Sequence, residues 1–95
     1  MTKAELKSGM VLTLRNGKEY MVFKDCKTTN YSGDFYVNVE SSEWGNLNHF
    51  NDDLTHNQYR HLDIMRIDVV GIITNLTNYS NFKGNSYCIW ERKEK

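Results

Sequence analysis

The segment that most constrains the fold is an alternating stretch near the amino end, interrupted by the dipeptide Asn16-Gly17. Before the dipeptide, Leu12 and Leu14 alternate with other positions in the period-2 pattern of a half-buried strand. After it, Tyr20 and Val22 continue the same alternation. Asn-Gly is a strong hairpin signal, because both residues tolerate the positive φ angles of a type I′ turn. The segment therefore predicts a β-hairpin closed by such a turn.

Three further stretches rich in β-forming residues predict three more strands. They comprise residues 35–40, 61–70 and 87–92. In the first of them, Phe35 and Val37 alternate with Tyr36 and Asn38. The more apolar set, Phe35 and Val37, is predicted to face the core, and Tyr36 is predicted to face outward.

Two long polar segments separate these strands, at residues 41–61 and 74–86. In the first segment Trp44, Phe50 and Leu54 recur near helical spacing, which predicts a plug over an open barrel end within a loop of one or two helical turns. The pattern as a whole indicates a mainly β fold, a small five-stranded SH3-like barrel with two long loops and one or two short helical turns. An OB-like barrel is the alternative. With 95 residues, the chain is predicted to be a single domain over 1–95.

Charge and hydropathy exclude several classes of protein. Twelve basic residues balance twelve acidic ones, which excludes a strongly basic wrapper of nucleic acid. The longest apolar run, residues 69–73, is far too short to cross a membrane. Because the first residues lack the apolar core of a secretory signal, we expect a cytoplasmic protein. In that reducing compartment, Cys26 and Cys88 are predicted to be two buried thiols rather than a disulfide.

No residue pattern indicates catalysis. The chain has no nucleotide-loop or nucleophile-elbow motif, and its three histidines lack the spacing of a metal site. Cys88 is predicted to lie on the same strand face as Trp90, where burial would leave its thiol inert. We therefore predict a binding protein without a cofactor or metal, and not an enzyme.

The loops carry the features typical of a binding site. Asparagine occurs eleven times, and much of it lies beside aromatic residues. Aromatic rings stack on bases, amides read base edges, and arginine binds phosphate. The predicted ligand-binding residues are Tyr31, Trp44, Asn48, His49, Tyr59, Arg60, Arg66 and Tyr79. Two have a structural alternative, since Trp44 also fits the plug and Arg66 also fits an exposed cross-strand ion pair.

Four segments resemble small proteins encoded by phages and mobile elements of Gram-positive bacteria. They are Leu6–Gly17 (an "LKxGMVVxLRNG" opening), Phe50–Thr55, Leu62–Ile67 and Ile89–Arg92. The resemblance spans most of the chain but includes less than half of its residues. It implies a phage-type accessory protein with a compact β-barrel, acting in the host cytoplasm, and it implies no active site.

These observations lead to one preferred function and two alternatives. The preferred function is to counter a bacterial defence system by binding. The target is either a nucleotide immune signal, sequestered by a homo-oligomer, or a defence protein, blocked through exposed aromatic anchors. One alternative is a nucleic-acid-binding barrel, which the zero net charge disfavours despite a local group of lysines at positions 3, 7, 18, 24 and 27. The other is a structural adaptor of phage machinery. No interaction with a membrane is expected.

Overall fold

The computed structural model describes residues 1–27, 29–70 and 86–94, which form one antiparallel sheet of six strands. The strands are β1 (Val11–Leu14), β2 (Glu19–Lys27), β3 (Ser32–Asn38), β4 (Trp44–Asn46), β5 (Ile64–Val70) and β6 (Ser86–Glu91). Three single-turn 3-10 helices comprise Lys3–Glu5, Leu47–His49 and Arg60–Leu62. No helix in these ranges is long and apolar enough to cross a membrane. The mainly β class is confirmed.

The strands are arranged in the order β4-β3-β2-β1-β5-β6, so that β4 and β6 form opposite edges of an open sheet. The described strands number six rather than the five predicted. The additional strand is β4, in a segment that the sequence predicted to be a loop with helical turns. Trp44 pairs there with Val37 of β3, and the helical turn begins only at Leu47. The other predicted loop lies outside the described residues except for Ser86, where β6 begins.

The predicted hairpin is confirmed, but its turn differs from the predicted type. The N–H of Leu14 donates to the carbonyl of Lys18 at 3.0 Å, and the N–H of Gly17 donates to the carbonyl of Leu14 at 2.8 Å. Gly17 has a φ of +87°, whereas Asn16 is not among the residues with positive φ. The connection is therefore a three-residue loop with glycine in the left-handed position, rather than a type I′ turn. The Asn16 side chain stabilises this loop by accepting a hydrogen bond from the Lys18 N–H at 3.0 Å.

The core lies on one face of the sheet. Its side chains come from β1, β2, β3 and β5, from the amino-terminal segment and from the segment after β4. The fully or almost fully buried apolar residues include Leu6, Leu12, Leu14, Val22, Leu47, Phe50, Leu54, Ile64 and Ile67. Each such burial contributes about 1.5–3 kcal/mol to folding. Two of the three residues predicted to form a plug, Phe50 and Leu54, are thus buried in this core, whereas the third, Trp44, is 52% exposed.

The orientation predicted for β3 is wrong. Val22 of β2 is paired with Tyr36, so the Tyr36 ring enters the core and is only 8% exposed. It lies edge-to-face against Phe50, with ring centroids 5.0 Å apart. Burial there is compatible with a phenol because the Tyr36 hydroxyl and Nδ1 of His49 form a hydrogen bond of 3.0 Å. Phe35 consequently lies on the opposite face of the sheet, paired with Phe23.

A bulge bends β2 near its end. The pairing of β2 with β3 shifts register between Phe23 and Cys26, and Asp25 in between has a φ of +56°. The N–H of Asp25 donates to the Asp34 carboxylate at 2.9 Å, which stabilises this conformation. A bulge increases the local twist and bend of its strand. The end of β2 therefore curves beside the face that carries Phe23 and Phe35.

Arginine side chains connect distant parts of the chain. The guanidinium of Arg15, in the β1–β2 loop, lies 3.2 Å from Asp63 and donates to Glu94 at 2.8 Å. The hydrogen bonds that Arg15 donates to Glu94, and to a smaller extent the one to Asp63, raise the pKa of Arg15 above its ordinary value. Arg92 donates to the carbonyls of Ile64 and Asp53, each at 3.0 Å. The segment after β6 is thus bound to the hairpin and to the segment that contains Asp53.

Candidate binding face

The sheet has a second apolar face, opposite the core. Register places Met21, Val37 and Trp44 side by side across β2, β3 and β4, and it places Phe23 beside Phe35. Phe35 is largely buried, but Phe23 and Trp44 are 39% and 52% exposed. We call this surface, with Tyr31 at its edge, the aromatic face. Large apolar side chains exposed together in this way are typical of interaction sites.

The aromatic face is ordered by ring contacts around Trp44. Its ring lies edge-to-face against Phe35, with centroids 5.3 Å apart, and against Tyr31, with centroids 5.1 Å apart. Each such pair contributes about 0.5–1.5 kcal/mol beyond area burial. Trp44 is thus held in one orientation although half of its surface is exposed.

Beside these rings lies an open depression of about 380 Å³. It is lined by Phe23, Cys26, Tyr31, Phe35, Val37 and Trp44. None of the lining residues carries a charge or a carboxamide. The depression is therefore suited to an aliphatic or aromatic side chain and provides no group that neutralises phosphate.

The same face of the sheet becomes polar towards β5 and β6. Arg66 lies opposite Thr13 of β1, and its Nε is 3.1 Å from both carboxylate oxygens of Asp68. Hydrogen bonding to Asp68 raises the pKa of Arg66. The guanidinium also lies 4.0 Å from Glu91 across the strand pair. The ion-pair interpretation of Arg66 is thus the one that the geometry supports, and its partner at closest range is on its own strand.

Cys88 does not have the predicted surroundings. A register shift between Ile67 and Asp68 pairs Cys88 with Asp68 and Trp90 with Ile67. Trp90 therefore packs against the core, whereas Cys88 is exposed. The prediction of a buried Cys88 is wrong because a bulge breaks the alternation that placed both residues on one face. Both thiols are free, and Cys26 is half-buried in the aromatic face.

A second ring cluster, the histidine end, consists of His49, His56, Tyr59 and His61. Successive ring centroids are 5.9, 5.6 and 5.7 Å apart. Nδ1 of His56 accepts hydrogen bonds from the N–H groups of Gln58 and Tyr59, at 3.1 and 3.0 Å. The pKa of His56 is lowered below its ordinary value, mainly by burial and to a smaller extent by the nearby His49. Nδ1 of His56 is thus the acceptor that fixes the following turn.

The histidine end shows no arrangement for metal binding. Within residues 1–27, 29–70 and 86–94, no three His, Cys, Asp or Glu side chains are grouped so that they could hold a metal ion. His49 and His56 each use Nδ1 in a hydrogen bond within the fold. These rings therefore have a structural role in the described geometry.

The predicted site residues thus fall into separate groups. Tyr31 and Trp44 meet on the aromatic face. His49 and Tyr59 belong to the histidine end, where Asn48 and Arg60 are exposed neighbours in the chain. These two groups lie on opposite sides of β3, because Phe35 contacts Trp44 whereas the adjacent Tyr36 contacts His49. Arg66 is on the polar half of the second face, and Tyr79 lies outside the described residues.

The sequence interpretation missed four of the residues that line the depression: Phe23, Cys26, Phe35 and Val37. A signal for them is present in β2, where Met21 and Phe23 alternate with Tyr20 and Val22. A strand that is apolar at successive positions has two apolar faces.

Comparisons of the chain with protein-family models, with curated proteins and with solved structures find no match.

Proposed function

We propose that this chain is a binding protein whose aromatic face docks on another protein. The observation that carries the proposal is Trp44, half exposed yet held between Tyr31 and Phe35. A rigid aromatic side chain loses little conformational entropy when it is buried in an interface, and tryptophan and tyrosine are enriched among the residues that dominate binding energy.

A protein partner accounts for the chemistry of this face better than a nucleotide does. Nucleotide sites combine apolar contacts with convergent polar groups, and phosphate requires arginine, lysine or main-chain N–H donors. The depression beside Trp44 has no such side chain. Arg66, one of the predicted ligand-binding residues, is engaged by Asp68 on the polar half of the sheet.

We propose further that the partner is a component of a bacterial defence system in the host cytoplasm. The support for this is the resemblance of four segments to small proteins of phages and mobile elements. A small domain with an apolar docking face can block a larger protein by covering the surface that this protein needs. Such an inhibitor requires neither a catalytic residue nor a cofactor.

We also propose that the open sheet is a variant of the SH3-like barrel. Two register shifts support this relation, one in the β1–β5 pair at Thr13 and one in β2 at Asp25. Bulges at such positions curl a sheet towards closure.

Phage protection tests the proposal directly. The chain is expressed in bacteria that carry one defined defence system, and the plating efficiency of a sensitive phage is measured across a panel of such strains. We expect the chain to protect the phage, so that plating efficiency rises, in at least one strain. We also expect a protein of that strain's defence system to co-purify with the chain. Trp44→Ala should abolish both effects, because it removes the central ring, whereas Tyr59→Ala should leave both within about twofold.

Tyr59 is a matched control because it is also an aromatic residue, 53% exposed, but lies at the histidine end. Loss of protection in the Tyr59 variant alone would contradict the assignment of the site. If the chain binds a phage protein through Trp44 and restores phage plating on no strain, it is an adaptor of phage machinery instead.

A further inference from the structure

We infer that the partner binds as an extended strand added to the outer edge of β4, with apolar side chains at alternate positions and a basic residue beside Glu40 and Glu43. This inference rests on the proposed function, since it specifies what enters the aromatic face. It follows from three features of the edge: the direction of its main-chain groups, the position of the depression and the local charge.

The main-chain groups of Trp44 point away from the sheet. The N–H of Asn38 points towards β4 and donates to the carbonyl of Glu43, at 2.6 Å, while the Asn38 carbonyl accepts from Ser42 in the turn. Antiparallel ladders alternate between bonded and non-bonded pairs, which makes Tyr36 with Gly45 a bonded pair and Val37 with Trp44 a non-bonded one. The N–H and C=O of Trp44 are therefore directed outward from β3.

No described strand occupies that outer position, since β4 is the terminal strand of the sheet order. An exposed edge of this kind offers main-chain hydrogen bonds to an extended peptide, and peptide-binding domains use the same mode. β4 has three residues, which corresponds to about 10 Å of strand. Two or three main-chain bonds are then available, so most of the affinity must come from side chains.

The depression is placed to receive those side chains. Trp44 is at once the edge residue and a wall of the depression. A strand added at the usual spacing of about 4.8 Å brings alternate side chains onto the same face as Trp44, and the intervening ones onto the other face. An apolar side chain next to Trp44 would then contact the exposed ring and bury part of the depression.

The negative charge near the start of β4 favours a basic residue at one end of the peptide. Glu40 and Glu43 are both exposed, and neither forms an ion pair with a described residue. Between them are only Ser41 and Ser42. A lysine or arginine beyond the apolar positions of the peptide would complement these carboxylates, which favours one orientation and a faster association.

The test uses a displayed library of random eight-residue peptides, selected on the full chain and counter-selected on Trp44→Ala. We expect enriched peptides with apolar residues at every second position and a basic residue at one end. The best peptide is then resynthesised with a methyl group on one main-chain nitrogen at a time. Methylation should weaken binding about tenfold or more at alternate positions, whose N–H groups face the edge, and less than about threefold at the positions between them.

One double variant and two contrary outcomes complete the test. Glu40→Gln combined with Glu43→Gln should lower the affinity for the basic peptide about threefold at low salt and hardly at high salt. Failure to enrich any peptide over the Trp44 variant overturns the inference. Enrichment without an alternating response to methylation also overturns it, but leaves docking on the aromatic face intact. The phage-protection assay does not depend on peptides, so failure of the proposed function is seen separately.

Discussion

Gly45→Ala isolates a single steric contact on which β4 depends. A Cβ atom at this position would lie 2.7 Å from Cζ and from the hydroxyl oxygen of Tyr36. Gly45 has no left-handed φ, so alanine brings no backbone strain of its own. Ordinary carbon contacts begin at about 3.5 Å, so the ring must move by roughly 0.8 Å. That ring already packs edge-to-face against Tyr20 and Phe50, with centroids 5.1 and 5.0 Å away.

The expected cost follows from these contacts. Overpacking a core of this kind costs about 1–3 kcal/mol. Displacing Tyr36 also weakens its 3.0 Å hydrogen bond with His49, which is about 1 kcal/mol. Against this, replacing glycine by alanine stabilises through the unfolded chain by about 0.4–1 kcal/mol. The net loss is about 2 kcal/mol, equivalent to about 8–16 °C in Tm for a domain of this size.

Urea unfolding followed by tryptophan fluorescence measures this loss, with far-ultraviolet circular dichroism as a check on the fold. The matched measurement repeats Gly45→Ala in a Tyr36→Leu background, where the obstructing ring is gone. There we expect the alanine to be neutral or slightly stabilising. In a Tyr36→Phe background the ring carbon remains at 2.7 Å, so the cost should persist. Gly45→Ala with wild-type stability would refute the reasoning, as would an equal cost in all three backgrounds.

Three further predictions concern pH, thiols and ligands. Because burial lowers the pKa of folded His56, the unfolded chain binds more protons as pH falls below about 6.5, and stability declines from there to the lowered pKa. The control is His56→Asn, which keeps an acceptor but does not titrate. Relative to this variant, the free energy of unfolding of the wild type should fall by up to about 1.4 kcal/mol per pH unit in that window. A pH-independent difference between the two proteins would contradict this. Mass spectrometry of thiol labelling should show that exposed Cys88 reacts faster than Cys26. A peptide bound on the aromatic face should protect Cys26 alone from labelling. Equal protection of both thiols would place the peptide elsewhere. A panel of cyclic nucleotides and ADP-ribose derivatives should leave Tm unchanged, whereas a tight ligand at a hundred times its Kd would add about 2.7 kcal/mol and favour a nucleotide-sequestering protein.

The sequence predicts the strands well wherever one face is apolar and the other polar. Leu12 and Leu14 alternate with less apolar neighbours, and both enter the core as predicted. The same rule fails at β3, where Phe35 and Tyr36 are both large rings and hydropathy alone does not orient the strand. A hydrogen bond that the hydropathy pattern does not reveal supports the orientation, since His49 provides a partner for the buried Tyr36 hydroxyl.

The candidate site was only partly predictable for a related reason. Tyr31 and Trp44 were identified by their polar or loop surroundings, but the depression that they border is built mainly from β2 and β3. Cys26, which lines it, follows the bulge at Asp25, and a bulge shifts the register without a clear mark in the sequence. Similarly, the spacing of Trp44, Phe50 and Leu54 suggested one buried helical stripe, whereas Trp44 belongs to a strand and faces the other way.

The position of β1 at the centre of the sheet has a consequence for how the chain is made. β1 pairs with β2 through a three-residue loop, but its other edge pairs with β5, where Leu12 meets Ile67, 55 positions later. Hairpins form in microseconds, whereas pairings that close long loops are slow and wait for the distant strand. At a ribosomal rate of about 5–20 residues per second, the hairpin exists for seconds before residue 67 is available. Throughout that interval one edge of β1 is open to a chaperone or to another nascent chain.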